Sequence, residues 1–218
     1  MTKLGLFNYA LSKIGEYKVT STTADVPAVN RVNACYNHVR DLVLRSHRWN
    51  FARAHKTLKP TWVVPTSLTN SSGLVLVTAT AHGLVTGDTV RIKDTSYDGS
   101  WVVTRVSADT FTLDDSTYSA TSAAGSFTQV PPFGYDYQML LPTDCVMART
   151  VNGVDVSSAQ DIWELQGRYL LTDVEEAKFV YTKRVADEDA EDFDPNATEL
   201  SFDSDFLEVF ATNLALEM

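Results

Sequence analysis

Residues Val26–Phe51 read VPAVNRVNACYNHVRDLVLRSHRWNF, and the rest of the chain is organised around them. Val29, Val32, Tyr36, Val39 and Val43 recur at intervals of three and four, the spacing that lines side chains along one face of an α-helix. Ala28, Cys35 and Leu42 widen that stripe, as expected for a helix docked on a core rather than in a narrow coiled-coil seam. Asp25 is the expected N-cap, with Pro27 at the first helical position, where a missing N–H costs nothing. Arg31, Arg40, Arg45, His47 and Arg48 crowd the other face and the far end, where cations meet the negative pole of the helix dipole. Trp49 and Phe51 follow where the helix should stop, and two large aromatics there predict a buried anchor.

Upstream, Leu4, Phe7, Leu11 and Ile14 mark a short amphipathic helix ended by Gly15. Downstream the texture changes. Leu74–Thr78, Thr89–Ile92, Trp101–Val106 and Thr110–Leu113 are short β-branched runs. Turn chemistry separates them at close intervals, as in Asn70-Ser71-Ser72-Gly73, Thr86-Gly87-Asp88 and Asp98-Gly99. Pro60 and Pro65 on one side and Pro131-Pro132 on the other fence this block. Beyond it, Trp163–Asp173 reads as a hairpin turning at Gln166-Gly167, and Ala177–Lys183 alternates as a strand. An acidic run from Asp187 to Asp205 leads into an apolar helical segment ending at Met218. Phe206, Phe210 and Leu214 share one face of it, and Asp205 with Glu208 has capping-box spacing. The expected fold class is therefore α+β. A helical host domain with short antiparallel strands (1–60 and 132–218) carries an inserted small all-β barrel or sandwich domain (61–131).

The chain has 218 residues, 44% of them apolar, enough for one substantial core or a core plus a small module. Its net charge of −10 argues against gripping nucleic-acid phosphates as its main task. Cys35 and Cys145 match no disulfide framework or zinc spacing, and the four histidines find no carboxylate at ligand spacing, so no metal and no cofactor is expected. No nucleophile elbow, phosphate-binding glycine loop or zinc-protease motif is present, and the acidic run reads as a solvated loop rather than paired catalytic carboxylates. The chain is therefore not expected to be an enzyme. The N-terminus is too short and too amphipathic for a signal peptide, and no apolar run approaches a membrane span, so synthesis in a reducing cytoplasm without membrane contact is expected. The basic segment opens two readings beyond a solvated face. Arg40, Arg45 and Arg48 could form an inter-subunit surface complementary to a neighbour's acidic stretch, or a weaker DNA-binding face.

Several segments occur in a telling order: Arg48-Trp49-Asn50-Phe51-Ala52, then Tyr137 to Leu141-Pro142-Thr143-Asp144-Cys145, then Trp163–Asp173, Tyr181–Asp187 and Phe193-Asp194-Pro195 before a terminal helix. As an ordered set they resemble the tail tubular protein A and head–tail adaptor (connector) family of tailed phages and gene transfer agents. The block 61–131 looks like a small β module inserted in phage structural proteins. The resemblance implies a structural virion protein at the head–tail junction. Its subunits would form a homo-oligomeric ring, dodecameric, between the portal protein and the downstream tail (nozzle) protein. DNA would pass through during ejection without sequence-specific binding. The expected interface residues are Arg40, Arg45 and Arg48 on the basic helix and Phe206, Phe210 and Leu214 on the terminal one. The competing readings are a tail-associated polysaccharide or peptidoglycan hydrolase, and a module that holds a carbohydrate or a tail protein through the β insert.

Overall fold

The computed structural model describes residues 1–119, 125–132, 134–158, 162–185 and 200–218. In chain order, α1 (Lys3–Lys13) and α2 (Pro27–Ser46) are followed by β1 (Arg53–Leu58), β2 (Ser67–Ser71), β3 (Leu74–Thr78) and β4 (Thr89–Lys93). Next come β5 (Gly99–Arg105), β6 (Thr110–Leu113), β7 (Ser126–Val130), β8 (Tyr137–Leu140) and β9 (Cys145–Val151). The chain continues through β10 (Val154–Asp155), β11 (Trp163–Gln166), β12 (Tyr169–Thr172) and β13 (Ala177–Lys183) to α3 (Ser204–Glu217). The strands form three sheets, ordered β1-β13-β9-β10, β11-β12-β8 and β2-β3-β6-β5-β4-β7.

This corrects the expected fold class. Thirteen strands and three α-helices make the described residues 34% strand and 25% helix, so the chain is mostly β and not a helical host with a few strands. The reason lies in the period of the apolar pattern. Between Tyr137 and Lys183 burial alternates in and out, clearest along β9 and β13, and such segments extend and pair instead of coiling. Helical spacing is confined to α1, α2 and α3, of 11, 20 and 14 residues.

The chain divides into two compact units. The first comprises Met1–Lys56, Pro142–Thr150 and Phe179–Met218; the second comprises Thr57–Leu141 and Val151–Lys178. In the first, α1 starts at Thr2, whose Oγ1 accepts from Gly5 N at 3.0 Å. It ends in a Schellman closure, with Gly15 at φ +76°, Gly15 N bonded to Ser12 O and Glu16 N bonded to Leu11 O. Two expected caps are replaced. Val26 is the N-cap of α2, and Asp25 instead accepts from the Asn30 amide at 3.0 Å. Asp203 is the N-cap of α3, which puts Phe206 at the capping-box position, and Glu208 accepts from Lys13 at 2.7 Å and from Tyr9. The predicted stripe Val29, Val32, Tyr36, Val39 and Val43 is buried, joined by Leu44, whereas Leu42 faces solvent.

In the second unit the in-out burial of β3 and β4 fixes which face packs. Val75, Val77, Val90, Ile92, Val103 and Phe111 supply much of its core. The strands β2 and β7, at the two ends of the six-stranded sheet, go beyond the four runs legible from β-branched content. β12 pairs with β8 in a register that sets Tyr169 opposite Leu140.

Candidate functional site

The six residues expected at an interface fall into two groups. Phe206, Phe210 and Leu214 are 0% exposed, inside the core of the helical unit. Phe206 meets Trp49 and Phe51 edge-on, each at 5.1 Å between centroids, and lies 4.8 Å from Phe202. Phe210 packs 5.0 Å from Tyr36. The apolar residues that α3 presents to solvent are Val209 and Leu216. Arg40 is 7% exposed and lies 3.3 Å from Asp41, whose carboxylate also receives a two-pronged contact from Arg184 at 2.9 and 2.6 Å. Arg45 and Arg48 are exposed. The structure thus brings Arg45 and Arg48 to the surface and holds the other four inside.

Residues that sequence reasoning passed over hold the end of α2 in place. Arg149, on β9, is 5% exposed; its Nε donates to Thr182 Oγ1 at 2.9 Å and its Nη2 to Trp49 O at 2.6 Å. No carboxylate partners it among the described residues. Burial, and after it repulsion by Arg53 and Arg48, lowers its pKa from the ordinary guanidinium value. A lone arginine in an alternating apolar strand was the available signal, since buried arginine is rare without a partner. Trp49 Nε1 donates to Val43 O at 2.8 Å, and the backbone of Ala52 accepts from Lys183 N at 2.8 Å. Tyr181 donates to Asp144 at 3.1 Å, while burial and the Asp144 charge push its phenol up to about 12. Arg184 N donates to Asp144 O at 2.7 Å.

Cys35 and Cys145 are free thiols, both partly buried, and burial pushes the Cys35 thiol up. No group of three or more metal-ligating side chains occurs among the described residues. No helix there is long and apolar enough to cross a membrane. Most of the acidic run, Asp187 to Glu199, lies outside the described residues, as do Asp187 and Phe193-Asp194-Pro195 of the resemblance.

In the β unit a cleft of about 260 Å³ opens between β7 and β8. Phe127 and Leu84 form part of its wall, and Gln129, Gln138 and Tyr169 line it with polar groups. His82 also lines it, but both ring nitrogens are engaged: Nδ1 accepts from Leu84 N at 3.0 Å, so Nε2 carries the hydrogen and meets Ser107 O at 3.2 Å. A histidine committed in this way is a wall residue and not a general base.

Compared with protein-family models and with curated proteins, the sequence finds no match.

Proposed function

We propose that this chain is a structural virion protein, a head–tail adaptor subunit without catalytic activity. Twelve copies would form a ring joining the portal protein to the nozzle protein and extending the DNA channel. The observation that carries the reading is how segments of the resemblance meet. Arg48–Ala52, Asp144-Cys145 and Tyr181–Arg184 are separated by up to about 130 residues of chain, yet hydrogen bonds tie them together in the helical unit. Lys183 N binds Ala52 O, Tyr181 and Arg184 both bind Asp144, and Arg149, from outside the segments, bridges Trp49 O and Thr182 Oγ1. A shared ordered motif set that closes on itself supports a common scaffold, not a chance run of residues.

Charge supports the same reading. A channel wall built from subunits of net charge −10 repels phosphate and lets DNA slide. Exposed Arg45 and Arg48 supply a local cationic surface for an acidic neighbour, of the kind that sets register and partner choice.

Negative-stain imaging and mass photometry of the purified chain, alone and with portal rings, test the proposal. Rings or portal-bound rings are expected, weakened at 1 M salt, where the Debye length falls to about 3 Å. The double reversal Arg45→Glu/Arg48→Glu should weaken assembly more than thermal stability. A chain that stays monomeric and ignores portal rings, or one that releases sugars from peptidoglycan or capsule, would overturn it.

A further inference from the structure

We propose that the cleft between β7 and β8 binds one ring of a neutral saccharide, with Tyr169 as its stacking platform and Gln138 as its hydrogen-bonding amide. The proposal stands on the geometry of the β unit and does not depend on ring assembly.

Three observations converge. The first is the absence of charge: no aspartate, glutamate, lysine or arginine lines the cleft among the described residues, and the ring nitrogens of His82 are already engaged. An anionic or cationic ligand would find no counter-charge there, so the polarity suits hydroxyl groups. The second is a preset amide. Asp88 accepts from Gln129 Nε2 at 3.1 Å and also from Val85 N at 2.9 Å, and an ionised carboxylate can only accept. Gln129 is thereby turned so that its Oε1 faces Gln138, whose Nε2 donates to it at 3.3 Å. The chain Asp88–Gln129–Gln138 fixes which end of the Gln138 amide is which. Its remaining N–H and its carbonyl oxygen have no partner among the described residues. A donor and an acceptor side by side on one planar group match two adjacent sugar hydroxyls, each of which can donate to one and accept from the other.

The third is an exposed ring. Tyr169 is 43% exposed, directly across the β8–β12 pair from Leu140, which is itself exposed. A half-exposed aromatic face beside apolar Val63 and Leu140 offers the C–H face of a pyranose the surface it prefers, while the phenol stays at the rim. Size agrees as well. The cleft lies below the range of drug-sized pockets, roughly 300–1,000 Å³, and suits a single ring. Two amides and a tyrosine would also suit an extended peptide. The closed hydrogen bond between Gln129 and Gln138, however, bridges the two strands and leaves no lane for an added strand along this edge.

The test is titration of the full chain with neutral monosaccharides (glucose, galactose, mannose and N-acetylglucosamine), followed by saturation-transfer and amide-shift NMR. Glucuronic acid is the charged control, and a neutral extended pentapeptide is the competing class. At least one neutral sugar should bind with Kd of about 1–10 mM, the range that drug-like efficiency per atom gives a ligand of roughly 12 heavy atoms. Shifts should centre on Gln129, Gln138 and Tyr169. Tyr169→Ala and Gln138→Ala should each weaken binding about tenfold or more, while Tyr169→Phe, which keeps the ring, should change it by less than about threefold. Thermal midpoints of the variants check folding, and the wild-type shift map stands even if one variant fails. The proposal falls if no neutral sugar binds below roughly 20 mM, if shifts map elsewhere, if binding survives Tyr169→Ala in a folded chain, or if the peptide binds the cleft in place of every sugar.

Discussion

In the helical unit seven rings from far-apart places, Phe7, Tyr36, Trp49, Phe51, Phe202, Phe206 and Phe210, touch in one continuous cluster within an otherwise aliphatic core. In the β unit the core is also mostly aliphatic, drawn from strands adjacent in sequence, such as Val75, Val77, Val90 and Ile92, and its rings meet in pairs such as Phe111 with Phe127. Connectivity explains the contrast. Helices pack about 8–10 Å apart and meet only through their side chains. Neighbouring strands sit about 4.8 Å apart and are joined by backbone hydrogen bonds, so alternation along each strand decides which face packs. One unit is therefore tied together by long-range ring contacts, the other by strand ladders and the turns between them.

The largest break in that contrast should come from Phe206→Ala. Its ring is fully buried between Trp49, Phe51, Phe202 and Phe210, and truncation should cost about 3–5 kcal/mol. Hydrogen exchange reads the consequence: amides of α2 and α3 should lose protection while those of Val75 and Val103 keep it. Equal loss everywhere would mean that the two cores melt as one block.

The β unit should prove most fragile at the glycine just before β7. Gly125 has φ +54°, and a Cβ there would stand 2.4 Å from Lys93 O and 2.2 Å from Thr95 Cγ2. Gly125→Ala should cost about 1–3 kcal/mol by chemical denaturation. Gly73→Ala has the same left-handed backbone at φ +94° with open space around it, and should cost less, about 1 kcal/mol. Similar values for both would show that the clash is relieved by movement of the loop.

A smaller effect returns to the helical unit and appears only in alkali. The folded pKa of Tyr181 is about 12, above the unfolded value near 10, so the neutral phenol is favoured in the native state. That contribution is fully present below pH 10 and is lost as pH rises from about 10 to 12, at most about 3 kcal/mol. Tyr181→Phe should flatten this part of the stability–pH curve; an unchanged alkaline slope would assign it to other groups.

Least of all should come from Glu208. Its hydrogen bond to Lys13, and after it that to Tyr9, lowers its pKa, so its contribution is present above the ordinary carboxylate range and fades as pH falls through the folded value. The pair is exposed, so Glu208→Gln should change stability only slightly, and less still in 1 M salt.

Sequence alone determined the local elements wherever one strong period was present. The Val29–Val43 stripe, the runs at β3 to β6, the Trp163–Thr172 hairpin, which turns one residue later than expected at Gly167-Arg168, and the strand Ala177–Lys183 all follow from side-chain alternation or helical recurrence, which the backbone must obey to bury them. It also held a sign left unread: Asn152-Gly153, both at positive φ, turn β9 into β10, and Asn-Gly is among the strongest hairpin signals. Tertiary structure decided what local pattern cannot encode. With Asp203 at the N-cap of α3, Glu208 falls two residues beyond the capping-box position and pairs with Lys13 across the unit. Arg40, four residues after Tyr36 and three before Val43, keeps the spacing of the buried stripe and Arg45 does not, yet how completely a charged group at that position is covered was left to the neighbouring elements. The fold class turned on the same distinction: the thirteen strands together outweigh the three helices, and they form only once their partners, spread over the chain, are in place.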